Sequence, residues 1–90
     1  MSDYYVYIIL CADGSLYTGY SVDVKKRFLK HCDGVGAKYT RGRQPLELVY
    51  VEKFETKSCA LKREYVIKKL SKVQKLKLIS AYKKTAYEAD

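Results

Sequence analysis

The stretch "YYVYIILCADGSLYTGYS", residues 4–21, decides the fold of this chain, because it holds two strand patterns separated by a turn signal. Its first half, "YYVYIILC", is apolar at nearly every position and rich in aromatic and β-branched residues, which is typical of a strand covered on both faces. The letters "ADG" then predict a tight turn, and residues 15–20 return as a second strand. We expect the first strand to be the central strand of a sheet.

The length of this turn decides which side chains share a face, because a one-residue slip moves every side chain to the other face. A two-residue turn at residues 13–14 would place Tyr7 and Tyr17 on opposite faces. A three-residue loop at residues 12–14, with the glycine left-handed, places Tyr7, Tyr17 and Gly19 on one face. We favour the second register because it also pairs leucine with leucine on the opposite face.

The rest of the chain contains signals for three helices and one more strand. The patterns predict a helix over about residues 23–32, a strand in "LELVYVEKF" (46–54), a helix over 57–70, and a third helix from Ser71, whose spacing to Gln74 is that of a capping box. The prediction is an α+β domain with a three-stranded, mostly antiparallel sheet and helices on both sides. We expect a single domain over residues 1–82 and a frayed tail over 83–90.

The composition narrows the class of partner. Ninety residues give one domain, and a net charge of +8 spread along the chain favours a polyanion, with nucleic acid first and an anionic membrane surface second. Cys11, Cys32 and Cys59 have no CxxC spacing, so we interpret them as small buried side chains in a reducing compartment. The N-terminal pattern is neither that of a signal peptide nor that of a membrane span, and we expect a cytoplasmic protein.

Two polar residues border the apolar stripe of the first predicted helix. Arg27 and His31 fall within roughly 60° of Val24 around the helix, so their side chains can reach the face of the sheet. If that face carries Tyr7 and Tyr17, a guanidinium, an imidazole and two phenols meet, which suits a phosphodiester. For Arg27 or His31 alone, a solvated charge or a half-buried helix residue is the commoner explanation.

Glu64 lies in a mostly apolar arc of the second predicted helix. Carboxylates rarely face inward without a partner or a metal, which favours a functional role. Lys68 follows four residues later, and a surface Glu–Lys pair is a common reason for that spacing. The two explanations are about equally good from the sequence.

These pieces together resemble the GIY-YIG nuclease superfamily, in particular its small single-domain members. "YVY" at residues 5–7 stands where GIY usually stands, and "YTG" at 17–19 where YIG stands; Arg27, His31 and Glu64 follow at the family's positions. The resemblance covers roughly residues 4–78. The first tripeptide lacks its glycine, the second has threonine for isoleucine, and a DNA-recognition domain such as larger members carry is missing from the pattern.

The resemblance implies an endonuclease that hydrolyses phosphodiester bonds in DNA, structure-selective or weakly sequence-specific. It assigns a divalent cation, Mg²⁺ with Mn²⁺ as the alternative, to Glu64, and proton transfer to Tyr7 or Tyr17 helped by His31. It assigns stabilisation of phosphate charge to Arg27.

Substrate binding is predicted at two further places. Gly19 is expected to leave room for the substrate backbone beside the phenols. Lys38, Arg41 and Arg43 in the glycine-rich loop are expected to hold flanking phosphates, with Tyr39 stacking on a base. Two alternatives stay open, a nucleic-acid-binding module without catalysis and a catalytic subunit that needs a protein partner.

Overall fold

The computed structural model describes residues 3–32 and 45–88. In chain order the elements are β1 (Tyr4–Cys11), β2 (Leu16–Ser21), α1 (Val24–Cys32), β3 (Pro45–Phe54), α2 (Lys57–Lys68) and α3 (Lys72–Glu88). The strands form one antiparallel sheet in the order β2-β1-β3, so β1 is central. The predicted α+β class and the central position of the first strand are confirmed.

The β1–β2 connection is the three-residue loop that the sequence favoured. Gly14 has a φ of 84°, and the backbone N–H of Cys11 donates to the carbonyl of Ser15 at 2.9 Å. Leu10 therefore pairs with Leu16, and Tyr7 lies directly opposite Gly19. This register brings Tyr7 and Gly19 to the same face of the sheet.

The two faces of the sheet support two separate hydrophobic clusters. On one face, Val6 and Ile8 of β1 pack with residues of α2 and α3, including Ala60, Ile67 and Ile79. On the other face, β1 contributes the fully buried Tyr7, Ile9 and Cys11, against which Val24 and Phe28 of α1 pack. The helices thus cover both faces, as the nearly continuous apolar run of β1 requires.

The helix ends follow their capping residues. The side chain of Asp23 accepts the backbone N–H of Lys26, so Asp23 is the N-cap of α1. Ser71 and Gln74 form the predicted capping box at the start of α3, with reciprocal bonds of 3.2 and 2.9 Å. The helix α2 ends at Lys68, two residues earlier than predicted, because the chain must turn before this box.

Two features of the fold differ from the sequence interpretation. The pairing of β1 with β3 shifts between Ile8 and Ile9, so Val49 and Tyr50, although consecutive, belong to the same hydrophobic cluster. Of the three cysteines, only Cys11 is buried, whereas Cys32 and Cys59 are exposed thiols, which makes the interpretation of all three as core residues wrong. Within the described ranges, no helix is long and apolar enough to cross a bilayer.

Candidate active site

The hydroxyl of Tyr7 is the centre of the candidate site. Tyr7 lies in the middle of the central strand and is 1% exposed. Its hydroxyl is 3.0 Å from Nε2 of His31, which is itself 1% exposed at the end of α1. A buried polar pair is stable only when its hydrogen bonds are made, so this contact fixes both rings.

Tyr17 brings the second phenol to the same place. Its ring centroid is 6.3 Å from that of Tyr7 and 5.1 Å from that of His31, with tilted rings in both contacts. Unlike Tyr7, Tyr17 is only partly buried. The predicted convergence of the two phenols and the imidazole is therefore present, and Tyr17 is the phenol on the open side.

Arg27 adds a positive charge to this cluster. It precedes His31 by one helical turn on α1, and its guanidinium lies close enough to the hydroxyl of Tyr7 to favour the phenolate. Arg27 is partly buried, so the interpretation as a merely solvated charge does not describe it. The guanidinium carries only donors, so it is suited to oxygen acceptors such as those of a phosphate.

Glu64 approaches the cluster from α2, the helix that packs on the opposite face of the sheet. Its carboxylate lies near enough to Tyr7 to disfavour the phenolate. It is 18% exposed and forms an ion pair with Lys68, with 3.3 Å between the nitrogen and the oxygen. The i,i+4 pair expected from the sequence is therefore present, and the functional role of Glu64 stays a prediction.

The surroundings of Tyr7 and His31 keep both side chains neutral near pH 7. The pKa of Tyr7 is raised to about 12, mainly because burial disfavours the phenolate; Tyr17 and Glu64 act in the same direction and Arg27 opposes them. Burial, and then the positive charge of Arg27, lower the pKa of His31. The 3.0 Å contact therefore joins a neutral phenol and a neutral imidazole.

The space beside Gly19 is filled by Tyr7. A Cβ atom on Gly19 would lie 2.5 Å from Cζ of Tyr7 and 3.0 Å from Cε2 of Tyr17, both well inside van der Waals contact. The glycine is needed because the phenol lies across the β2 backbone. The predicted gap is thus occupied by the protein itself, and contact between Gly19 and a substrate stays a prediction.

The remaining predicted binding residues, Lys38, Tyr39, Arg41 and Arg43, lie outside the described residues. Sequence reasoning missed a different set of groups beside the site. Lys75, Thr18 and Lys68 line a cavity next to Tyr17. The spacing between Glu64 and Lys68 pointed to one of them, whereas no local pattern marked the other two.

The donor set beside Tyr7 suits a hard cation with few protein ligands. Among the described residues, no group of three or more His, Cys, Asp or Glu side chains is placed to hold a metal. Glu64 supplies a single carboxylate. Mg²⁺ retains most of its waters and is often bound through one or two carboxylates and the phosphates of the substrate, so one glutamate fits this ion.

The sequence of this chain matches a known family model. The model of the GIY-YIG catalytic domain matches residues 3–77. The chain is 61% identical over 80 residues to a UPF0213 protein of Staphylococcus saprophyticus, covering 89% of this chain and 98% of that protein. It is 52% identical over 79 residues to a UPF0213 protein of Natronomonas pharaonis, covering 88% and 93%.

Two solved structures are also similar. A UPF0213 protein from Bacillus halodurans has 51% identity and a TM-score of 0.58, with 88% of this chain and 84% of that chain covered. A protein from E. faecalis has 40% identity and a TM-score of 0.62, with 91% and 88% covered. The chain belongs to the GIY-YIG family, which points to a nuclease.

Proposed function

We propose that this protein is a metal-dependent endonuclease that hydrolyses phosphodiester bonds in DNA, with structure selectivity or weak sequence specificity. The observation that supports this most is the convergence on Tyr7. Two strands and α1 bring two phenols, an imidazole and a guanidinium together, and Glu64 of α2 adds a carboxylate whose charge acts on Tyr7. A binding surface alone has no need of a carboxylate there, because a carboxylate repels phosphate.

Arg27 is the group that would hold the scissile phosphate. Its planar fork of N–H donors matches two phosphate oxygens. Arg27 is already partly buried near Tyr7, so less side-chain freedom is lost when the phosphate binds. Charge that develops on the phosphate is stabilised by a donor that is already in place.

His31 and Tyr17 are the groups that would manage the attacking water. Tyr7 is buried and its raised pKa makes it a poor base, so it serves to orient His31. The buried imidazole packs against Tyr17 and holds its ring in place, and the partly exposed Tyr17 can orient a water. The sequence did not decide whether Tyr7 or Tyr17 acts on the attacking water. We therefore assign this contact to Tyr17.

Glu64 would hold the divalent cation, with Mg²⁺ as the first choice and Mn²⁺ as the second. When bound, such a cation supplies Lewis-acid stabilisation of the phosphate oxygens. Glu64 is suited to this because its carboxylate is mostly buried and its charge acts on Tyr7.

A cleavage assay with a matched variant tests the proposal. Purified wild type, Glu64→Gln and Glu47→Gln are incubated with labelled duplex, single-stranded and branched DNA, with and without Mg²⁺ or Mn²⁺. Glu47 also pairs with a lysine, Lys83 at 3.5 Å, but belongs to the surface of β3. We expect Glu64→Gln to lose roughly 100-fold or more in rate, which is about 3 kcal/mol of transition-state stabilisation, and Glu47→Gln to keep full activity.

Equal rates for the two variants would remove Glu64 from the mechanism. Metal-independent, salt-sensitive DNA binding without any cutting would favour the non-catalytic binding module. Cutting that appears only after co-purification with another protein would favour a catalytic subunit whose partner selects the substrate.

A further inference from the structure

A cavity of about 360 Å³ lies at the outer edge of β2, beside the candidate site. Its walls are Leu16, Tyr17, Thr18, Lys68 and Lys75. Tyr17 belongs both to this cavity and to the phenol–imidazole cluster, so the two places share one wall. The mechanism proposed above uses neither lysine and leaves Thr18 without a role.

The two lysines place positive charge on one side of the cavity. Lys68 ends α2 and Lys75 lies in the first turns of α3, and the capped turn at Ser71 brings them together. Burial lowers the pKa of Lys75, and the positive charge of Lys68 lowers it further, which shows that the two ammonium groups repel each other. Within residues 3–32 and 45–88, no acidic residue lines this cavity.

Thr18 supplies an independent observation on the same wall. Its side chain is 3% exposed, and in the described part of the chain its Oγ1 has no hydrogen-bond partner. Buried hydroxyls are almost always hydrogen-bonded, so an unpaired one indicates a missing ligand or water. A hydroxyl beside two ammonium groups is a donor set for a phosphate oxygen.

We propose that this cavity is a phosphate-binding subsite in which Lys68, Lys75 and Thr18 hold the backbone phosphate next to the scissile one. That this phosphate belongs to a nucleic acid rests on the proposed function. That the cavity binds an anion rests on the residues of the cavity alone. Lys68 is paired with Glu64 at 3.3 Å, so neutralisation of Glu64 by a cation would release its ammonium group toward the cavity. The subsite and the cation site are therefore coupled through one ion pair.

The first test uses unaltered protein and inorganic phosphate as the probe. In ¹H–¹⁵N NMR spectra, phosphate added without divalent metal should shift the amides of Thr18 and Lys75 in a saturable manner. Lys75→Met should lose the response, and Lys77→Met, an exposed lysine two positions along the same helix, should keep it. Thr18→Val should weaken phosphate binding about fivefold through the lost donor. Shifts spread over the surface lysines, with no response at Thr18 and Lys75, would overturn the subsite.

The second test identifies the source of the phosphate. For a short single-stranded DNA, the logarithm of the association constant decreases linearly with the logarithm of the salt concentration. The magnitude of this slope should be smaller by roughly 0.7 in Lys75→Met, as expected when one phosphate contact is lost. The decrease should be smaller in Lys77→Met. Equal slopes would overturn the assignment to the backbone, as would tighter binding of a mononucleotide than of the oligonucleotide.

Because both measurements are made without metal, they are independent of cleavage. If Glu64→Gln cuts as fast as wild type while both binding results hold, the hydrolytic mechanism fails and the subsite stands. If Glu64→Gln abolishes cutting while the two lysine variants bind alike, the mechanism stands and the subsite fails.

Discussion

Replacing Gly19 by alanine tests whether the site depends on the close packing of Tyr7 over β2. A new Cβ would lie 2.5 Å from Cζ of Tyr7, whereas carbon atoms in good contact are about 3.5–4.0 Å apart, so the ring must move by about 1 Å. Such a shift breaks the 3.0 Å bond to His31. Tyr7 is 1% exposed and has no free space into which it could move without displacing its neighbours.

The magnitude follows from three contributions. Overpacking a well-filled core costs about 1–3 kcal/mol, and leaving a buried phenol without its partner costs about 1–3 kcal/mol. Alanine itself is better than glycine in a strand interior by about 0.5–1 kcal/mol. We therefore expect Gly19→Ala to lower the free energy of unfolding by about 1–5 kcal/mol, with a central value of about 3 kcal/mol, although the same substitution elsewhere in a strand would raise it.

Urea unfolding followed by circular dichroism measures this change, with Gly14→Ala as the control. Gly14 has a positive φ, so alanine there costs about 1–2 kcal/mol of backbone strain, but its new Cβ would be 3.7 Å from the nearest side chain and far from Tyr7. In a Tyr7→Phe background, which lacks the hydroxyl, Gly19→Ala should cost at least about 1 kcal/mol less, while the cost of Gly14→Ala should not change. Additive effects at Gly19 and Tyr7, or a Gly19→Ala protein as stable as wild type, would refute the reasoning.

Three further changes have expected outcomes. In the absence of phosphate, Thr18→Val should raise the free energy of unfolding by about 1 kcal/mol, because it removes a buried unpaired hydroxyl. Calorimetry measures this change, and a decrease would show that the hydroxyl is hydrogen-bonded. The folded-state pKa of His31 is lowered, so its contribution to stability is present above its unfolded pKa of about 6.5 and is lost as the pH falls through the folded value. In that pH range the free energy of unfolding should change by up to about 1.4 kcal/mol per pH unit. His31→Gln should abolish this pH dependence, as measured by urea unfolding at several pH values. Ser71→Ala should lower the free energy of unfolding by about 1 kcal/mol through the lost cap, and NMR should detect a weaker phosphate response of the Lys75 amide. An unchanged phosphate response would show that the subsite does not depend on the turn at Ser71.

The sequence predicted the parts of the fold that depend on local patterns. The apolar run of β1, the turn at Gly14 and the capping box at Ser71 are short-range signals, and each predicted feature is present. The convergence of Tyr7, Tyr17, Arg27 and His31 followed from the register and from helical spacing, because those four residues belong to adjacent elements of one face. Their roles in catalysis stay predictions.

The parts that the sequence did not predict depend on how distant elements pack. The irregular pairing of β1 with β3 places Val49 and Tyr50 in one cluster, and alternation along β3 alone does not reveal it. The cavity beside Thr18 exists only because α2 and α3 meet at the edge of β2, which no spacing within one element encodes. The exposure of Cys32 was missed because cysteine is commonly buried, and here it lies at the outward end of α1.

The odd number of residues in the β1–β2 loop has a consequence for how this protein can vary. Side-chain direction in a strand is a matter of parity, so adding or removing one loop residue while β1 stays in place would turn the phenol of Tyr17 toward the cluster of Val6 and Ile8. A change of two residues would preserve the parity. The length of this loop therefore determines on which face Tyr17 lies, although the loop contacts none of the proposed reacting groups. Among functional versions of this chain, the loop length should vary only in even steps.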